Sequence, residues 1–169
     1  MEEMVPIVDR ENNILKIVPR SEMRKNKLPH RASYIVLVNS EGKFYVQKRT
    51  MIKDYCPGML DACTGGVMQA GEDDIVESGK RELLEEMGVK TELKYLGWYL
   101  IDHDNNERED DFVYAGLFFG KYDGKIIMQE SEVSDVYLMT YDEIIKRRQE
   151  FTPDSVVALI EVKRLMGLD

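Results

Sequence analysis

Three glutamates, Glu82, Glu85 and Glu86, lie within one short stretch, Arg81-Glu-Leu-Leu-Glu-Glu-Met-Gly88. On a helix of about 100° per residue, Glu86 stands about 40° to one side of Glu82 and Glu85 about 60° to the other. The three carboxylates therefore share one face. Like charges at i, i+4 repel, so Glu82 with Glu86 calls for a compensating partner, and hard divalent cations with oxygen ligands are the natural one. Arg81, next to Glu85 on the wheel, is placed to neutralise and orient a carboxylate. Paired glycines, Gly65-Gly66, precede this stretch, let backbone approach a ligand closely and leave carbonyls available to a metal.

These side chains need a helix and a turn to hold them. Asp73 and Asp74 offer an N-cap and favourable charge at its start, and Gly88 a stop. Val76, Gly79, Leu83 and Met87 form the side expected to be buried. Around it the pattern is strand-like. Val5–Val8 and Ile14–Val18 flank a polar turn as a hairpin arm over about residues 1–30, and Ser21–Lys27 suggests a short helix before Pro29. Tyr34–Val38 and Phe44–Arg49 are expected to form a second hairpin, the first strand of which is buried on both faces. Further strands are expected at Leu93–Ile101, Phe112–Phe119 and Val133–Met139. Helices are expected at Tyr141–Gln149 and Pro153–Met166, the latter capped by Thr152. Hairpins mixed with helices imply an α/β fold, a mixed sheet covered by helices, in a single domain over residues 1–169.

Composition narrows the chemistry. The net charge of -9 excludes a general affinity for duplex nucleic acid, which rewards clustered cations. It does not exclude an anionic phosphate held through divalent metal ions. No apolar run is long enough for a membrane span and the amino terminus lacks a secretory pattern, so the cytoplasm is the expected compartment. Cys56 and Cys63 have neither disulfide-framework nor zinc spacing and are read as reduced packing residues.

The stretch Gly66–Val89 resembles the box of the Nudix hydrolase family, G-x5-E-x7-R-E-U-x-E-E-x-G-U, where U is aliphatic. Gly66-x5-Glu72 and Arg81–Val89 match, but eight residues separate Glu72 from Arg81 where the pattern has seven. The extra residue is placed at Asp73-Asp74, in the turn before the helix. Pro29-His-Arg-Ala32, Pro57-Gly-Met-Leu-Asp61 and Glu150-Phe-Thr-Pro-Asp-Ser155 extend the resemblance to a bacterial subgroup similar in outline to isopentenyl-diphosphate isomerase.

The resemblance implies an α/β/α sandwich and Mg²⁺ or Mn²⁺ held by Glu82, Glu85, Glu86, the Gly66 carbonyl and Glu72. It implies hydrolysis of a phosphoanhydride bond in a small phosphorylated substrate, a nucleoside diphosphate linked to another group or a nucleoside di- or triphosphate. Arg81 orients the carboxylates. Glu85 is the first candidate general base and Glu132, in the loop Gln129–Glu132, the second. Lys48 and Arg49 end a strand on opposite faces, so one of them can reach a substrate phosphate. His30 and His103 lack metal spacing, and Trp98 and Tyr99 read as strand core. Two alternatives are an isomerase-like enzyme and a non-catalytic Nudix-fold module. The isomerase's cysteine and histidine positions fall on Gly65 and Val67 here, with Cys63 two residues away. A homodimer is the default expectation for a small enzyme.

Overall fold

The computed structural model describes residues 1–103 and 110–168. At its centre lies β3 (His30–Val38), nearly every residue of which is buried. A strand covered on both faces suits a parallel neighbour, and β3 pairs in parallel with β7 (Phe112–Lys121) from His30↔Val113 to Val38↔Lys121. Beyond β7 runs β6 (Leu93–Asp102), antiparallel. On the other side β1 (Met4–Val8) meets β3 at Ile7↔His30 and carries β2 (Ile14–Pro19) outward. The amino-terminal hairpin is thus an extension of the sheet, with Val5, Ile7 and Val8 buried.

The expected hairpin between β3 and β4 (Phe44–Arg49) is present but short. The two strands pair only at Val38↔Phe44. After that β4 diverges to run between β8 (Val133–Met139) and the short β5 (Leu60–Asp61). The gap between the diverging strands is filled by the glycine-rich segment, which bridges to β3 at Ile35↔Thr64 and Ala32↔Val67. The local turn pattern could not reveal this, because strand partners are decided by packing elsewhere in the sheet.

Alternation along β3 sorts the helices into layers. Ile35 and Leu37 join Leu83 and Met87 of α2 (Ile75–Met87) on one face, with Phe118 of β7. Val36 and Val38 join Leu159 and Val162 of α4 (Pro153–Met166) and Ile144 of α3 (Tyr141–Lys146) on the other. The result is a mixed sheet between helices, an α/β/α sandwich. A short α1 (Arg20–Asn26) follows β2. Among the described residues no helix is long and apolar enough to cross a membrane.

Three details differ from the sequence expectation. The penultimate helix stops at Lys146 and continues as a single 3₁₀ turn, Arg148–Glu150. Thr152 stands at the N-cap of α4, but its hydroxyl makes no capping bond. It serves Asp61 and Ser155 instead, at 3.2 and 2.7 Å. Trp98 and Tyr99 are about one-third exposed rather than core, and Trp98 packs edge-on to Tyr114 beneath the Arg31 guanidinium.

Candidate active site

Helix α2 begins where its sequence provides a cap. The Asp74 carboxylate accepts from the Val76 N–H at 2.8 Å, and Gly88 closes the helix in the left-handed conformation, φ +65°. Asp73 and Asp74 both precede the first helical residue, so the extra residue relative to the family pattern lies in the turn and leaves the register of Glu82, Glu85 and Glu86 undisturbed. Leu83 and Met87 anchor the helix to the sheet, each about fully buried. The glutamate face is thereby fixed toward a cleft of about 590 Å³.

The three glutamates enter that cleft at graded depths. Glu86 is 6 % exposed and Glu82 partly buried, whereas the Glu85 side chain is half-exposed. Burial pushes Glu86 up to about 7 and raises Glu82 in the same direction, partly offset by Lys53 and Arg81 respectively. Gln47, itself buried, donates from Nε2 to Glu86 at 3.1 Å and to the Cys63 carbonyl at 3.2 Å. Two carboxylates that are desolvated and adjacent suit a hard divalent cation. Among the described residues no three His, Cys, Asp or Glu side chains are gathered closely enough to hold a metal ion by themselves. Two cations organise the glutamates instead. Arg81 reaches Glu72, Glu82 and Glu85 at 2.8–3.0 Å, and Lys53 lies 3.8 Å from Glu86 while pairing with Glu132.

Gly66 sits against this face. A Cβ there would lie 2.7 Å from the Glu82 carboxylate, so only glycine lets the glutamate approach the loop. The Gly66 carbonyl accepts from the Ser33 N–H at 3.0 Å and, at the longer distance of 3.5 Å, from the Ser33 hydroxyl. Glu72 occupies a different place from the other glutamates. Its oxygens accept from the Gln69 N–H, the Ser78 hydroxyl and Arg81, at 2.8, 3.1 and 2.9 Å, locking the turn onto the helix outside the cleft lining.

Lys48 and Arg49 separate as strand alternation requires. Lys48 is exposed and outside the cleft. Arg49 turns inward, donating to Asp61 at 2.8 Å and to the Tyr55 carbonyl at 2.9 Å. Glu132 borders the cleft across from α2, with its ion pair to Lys53.

Sequence reasoning missed most of the opposite wall. Asp154 is buried between two phenols, accepting from Tyr34 at 2.5 Å and Tyr55 at 3.0 Å. Arg20 and Arg24, one turn apart on α1, face Asp54. Lys53, Asp54 and Tyr55 belong to one short loop, a composition that carries no periodic signal. The i, i+4 arginines were the one available hint. Lys53 competes for the charge of Glu86, so Lys53→Met is expected to tighten Mn²⁺ binding roughly tenfold, about 1.4 kcal/mol. Calorimetric titration checks this, and an unchanged affinity would remove Lys53 from the site.

His30 is buried, with Nδ1 2.9 Å from the Leu28 carbonyl, and desolvation lowers it to about 4, so it is a neutral ring. His103 pairs with Asp111 at 2.8 Å at the cleft margin. Cys56 and Cys63 are free thiols. Burial pushes Cys63 well above the usual thiol range, and its Sγ sits 3.5 Å from the Ser155 carbonyl. An inert thiol there does not replace the cysteine that the isomerase chemistry requires.

Comparison with known proteins gives the family. Residues 28–159 match the model of the NUDIX domain. The chain is 43% identical over 159 residues to the uncharacterised Nudix hydrolase YfcD of Escherichia coli K12, covering 93% of this chain and 84% of that protein. It is 32% identical over 160 residues to the uncharacterised Nudix hydrolase PA4841 of Pseudomonas aeruginosa, covering 93% and 91%. Isopentenyl-diphosphate Δ-isomerase of Serratia proteamaculans matches at 29% over 157 residues, covering 90% and 87%. Among solved structures, DR0079 of Deinococcus radiodurans superposes with a TM-score of 0.69 at 20% identity over 87% of this chain and 89% of that one. The NUDIX domain of Shewanella oneidensis NrtR, solved with ADP ribose, gives 0.56 at 14% over 76% and 88%. The family match over residues 28–159 and the identity to these relatives show that the chain is a Nudix hydrolase.

Proposed function

We propose that this hydrolase cleaves the phosphoanhydride bond of a small nucleoside diphosphate-like compound, with Mg²⁺ or Mn²⁺ held by Glu82, Glu85 and Glu86. The observation that carries the reading is the pair of desolvated glutamates, Glu82 pressed against Gly66 and Glu86 one helical turn on, in a cleft lined also by Arg49 and Lys53. A divalent cation bound there would neutralise phosphate oxygens and make an attacking water more acidic. Arg81 holds Glu82 and Glu85 in place, and Gln47 orients Glu86. Arg49 and Lys53, two of the cations lining the cleft, can meet phosphate charge. Two carboxylates that border the cleft, Glu85 and Glu132, are the candidates to take the proton from water. Glu132→Gln and Glu85→Gln distinguish them, since only loss of the base removes the acidic limb of the pH–rate profile.

The direct test is phosphate or nucleotide release with Mg²⁺ across nucleoside diphosphates, triphosphates, sugar nucleotides and dinucleotides. ADP-ribose belongs on that panel because a structural neighbour binds it. Turnover of at least one compound is expected. Silence across the panel with both Mg²⁺ and Mn²⁺ would sink the proposal in favour of a binding module, and brisk turnover of isopentenyl diphosphate would favour the isomerase.

A further inference from the structure

The two oxygens of Glu86 have different surroundings. Oε2 accepts from Gln47 Nε2 at 3.1 Å, whereas Oε1 lies 3.8 Å from the Lys53 ammonium, and both Glu86 and Lys53 line the cleft. Gln47 does not line it. Its amide is 4 % exposed, on a strand flanked on both sides, since Gln47 pairs with Asp61 of β5 and Val136 of β8. Gln47 is therefore placed to act through the glutamate and not on a substrate.

The orientation of this amide is fixed. Its nitrogen donates to Glu86 and, at 3.2 Å, to the Cys63 carbonyl, which uses both of its hydrogens and anchors it to backbone just before the glycine-rich segment. A flipped amide would set its oxygen against the Cys63 carbonyl, an acceptor with nothing to donate, and give up the bond to the Glu86 carboxylate. Gln47 Oε1, meanwhile, is buried with no partner among the described residues. An apolar side chain of the same length would fill the position without stranding an acceptor. What the glutamine adds is its hold on Glu86 Oε2 and on the loop backbone.

That hold bears on the choice of metal. Mg²⁺ demands near-octahedral geometry at about 2.0–2.1 Å, and the two oxygens of one carboxylate stand too close together to span its right angle. Ca²⁺, at about 2.3–2.6 Å, gathers more oxygens and readily takes both from one carboxylate. A cation held evenly by both oxygens of Glu86 would compete with Gln47 for the charge on Oε2, whereas one held through Oε1 leaves that bond intact. We propose that Gln47 is a positioning residue that sets the metal preference of this site, committing Glu86 Oε2 to the amide and so favouring Mg²⁺ and Mn²⁺ over Ca²⁺. The inference rests on the reading of Glu86 as a metal ligand.

Calorimetric titration of Mn²⁺ and, separately, of Ca²⁺ into the full chain without substrate reads this preference without turnover. Wild type is expected to bind Mn²⁺ at least about tenfold tighter than Ca²⁺, and Gln47→Met to narrow that ratio at least about fivefold. Loss of packing alone would weaken both metals by the same factor, so an unchanged ratio in Gln47→Met overturns the proposal. An equal shift in Lys48→Met, at the exposed neighbouring position outside the cleft, would also overturn it. Gln47→Asn keeps the amide but is one methylene too short to span Glu86 and Cys63 together, and it should move the ratio the same way if the methionine variant does not fold. Ca²⁺ binding to wild type as tightly as Mn²⁺ overturns the proposal whatever the variants do. Glu86→Gln separates the two levels. If it binds Mn²⁺ as tightly as wild type, Glu86 is not a ligand and the role of Gln47 falls with it. If it binds Mn²⁺ more weakly while Gln47→Met leaves the ratio untouched, the metal site stands and the role of Gln47 alone is lost.

Discussion

Glu86→Gln is expected to lower phosphoanhydride turnover at least about a hundredfold, roughly 2.7 kcal/mol of transition-state stabilisation, while the chain stays folded. Glutamine keeps the shape of the side chain and one oxygen to accept from Gln47, so the packing of α2 is retained. What is lost is an anionic oxygen at the deepest point of the carboxylate face, where the low exposure of the side chain makes its charge count most. Steady-state kinetics at saturating Mg²⁺ give the rate, and near-wild-type turnover would remove Glu86 from the metal site. Glu72→Gln should cost less, because Glu72 braces the turn through Gln69, Ser78 and Arg81 rather than facing the cleft.

The same substitution has a signature that does not involve turnover. The folded-state value of Glu86 is raised from 4.5 to about 7, so between those limits the folded chain binds more protons than the unfolded one. Its contribution to stability is fully present below about pH 4.5 and is lost as pH rises through 7, a swing of roughly 3 kcal/mol. In EDTA, wild type should therefore lose thermal stability between pH 5 and 8 relative to Glu86→Gln, with the two converging at the acid end. Parallel melting curves across that range would contradict the buried, only partly compensated carboxylate described for this site.

How much of this was legible beforehand depended on whether the signal was local. Helix α2 was readable because Asp74, Gly88 and the Leu83–Met87 stripe each state their role within one or two turns. The shared face of Glu82, Glu85 and Glu86 follows from helical geometry alone. That Lys48 and Arg49 lie on opposite faces was readable for the same reason, whereas which of them turns toward the cleft was not. The burial gradient across the glutamates was not, since it depends on Gln47 and Lys53 arriving from β4 and the loop after it. Likewise β3 and β4 look like hairpin partners until the segment Thr64–Val67 is seen to occupy the space beside β3. The Thr152 hydroxyl illustrates the competition directly. Its local option was to cap α4, and a buried Asp61 carboxylate near Arg49 outweighed it.

Gly65→Ala and Gly66→Ala, adjacent and chemically identical, are expected to fail in different ways. At Gly65, φ is +154° and a Cβ would lie 1.9 Å from the Ser33 carbonyl oxygen, which is backbone pinned in the central strand. Neither segment can retreat, because Ile35↔Thr64 and Ala32↔Val67 bridge them on both sides. A loss of roughly 3 kcal/mol or more is expected, seen as a lowered melting temperature or as failure to accumulate folded protein. At Gly66 the clash is with the end of a flexible side chain, the Glu82 carboxylate at 2.7 Å, so the fold can survive by rotating that glutamate away. Thermal stability should then stay near wild type while Mn²⁺ affinity, measured by calorimetry, falls about tenfold or more and turnover falls with it. A Gly66→Ala protein that binds Mn²⁺ as tightly as wild type would show that Glu82 is not a ligand. A stable, soluble Gly65→Ala protein would show that the glycine-rich segment is less tightly wedged against β3 than the bridges on either side imply.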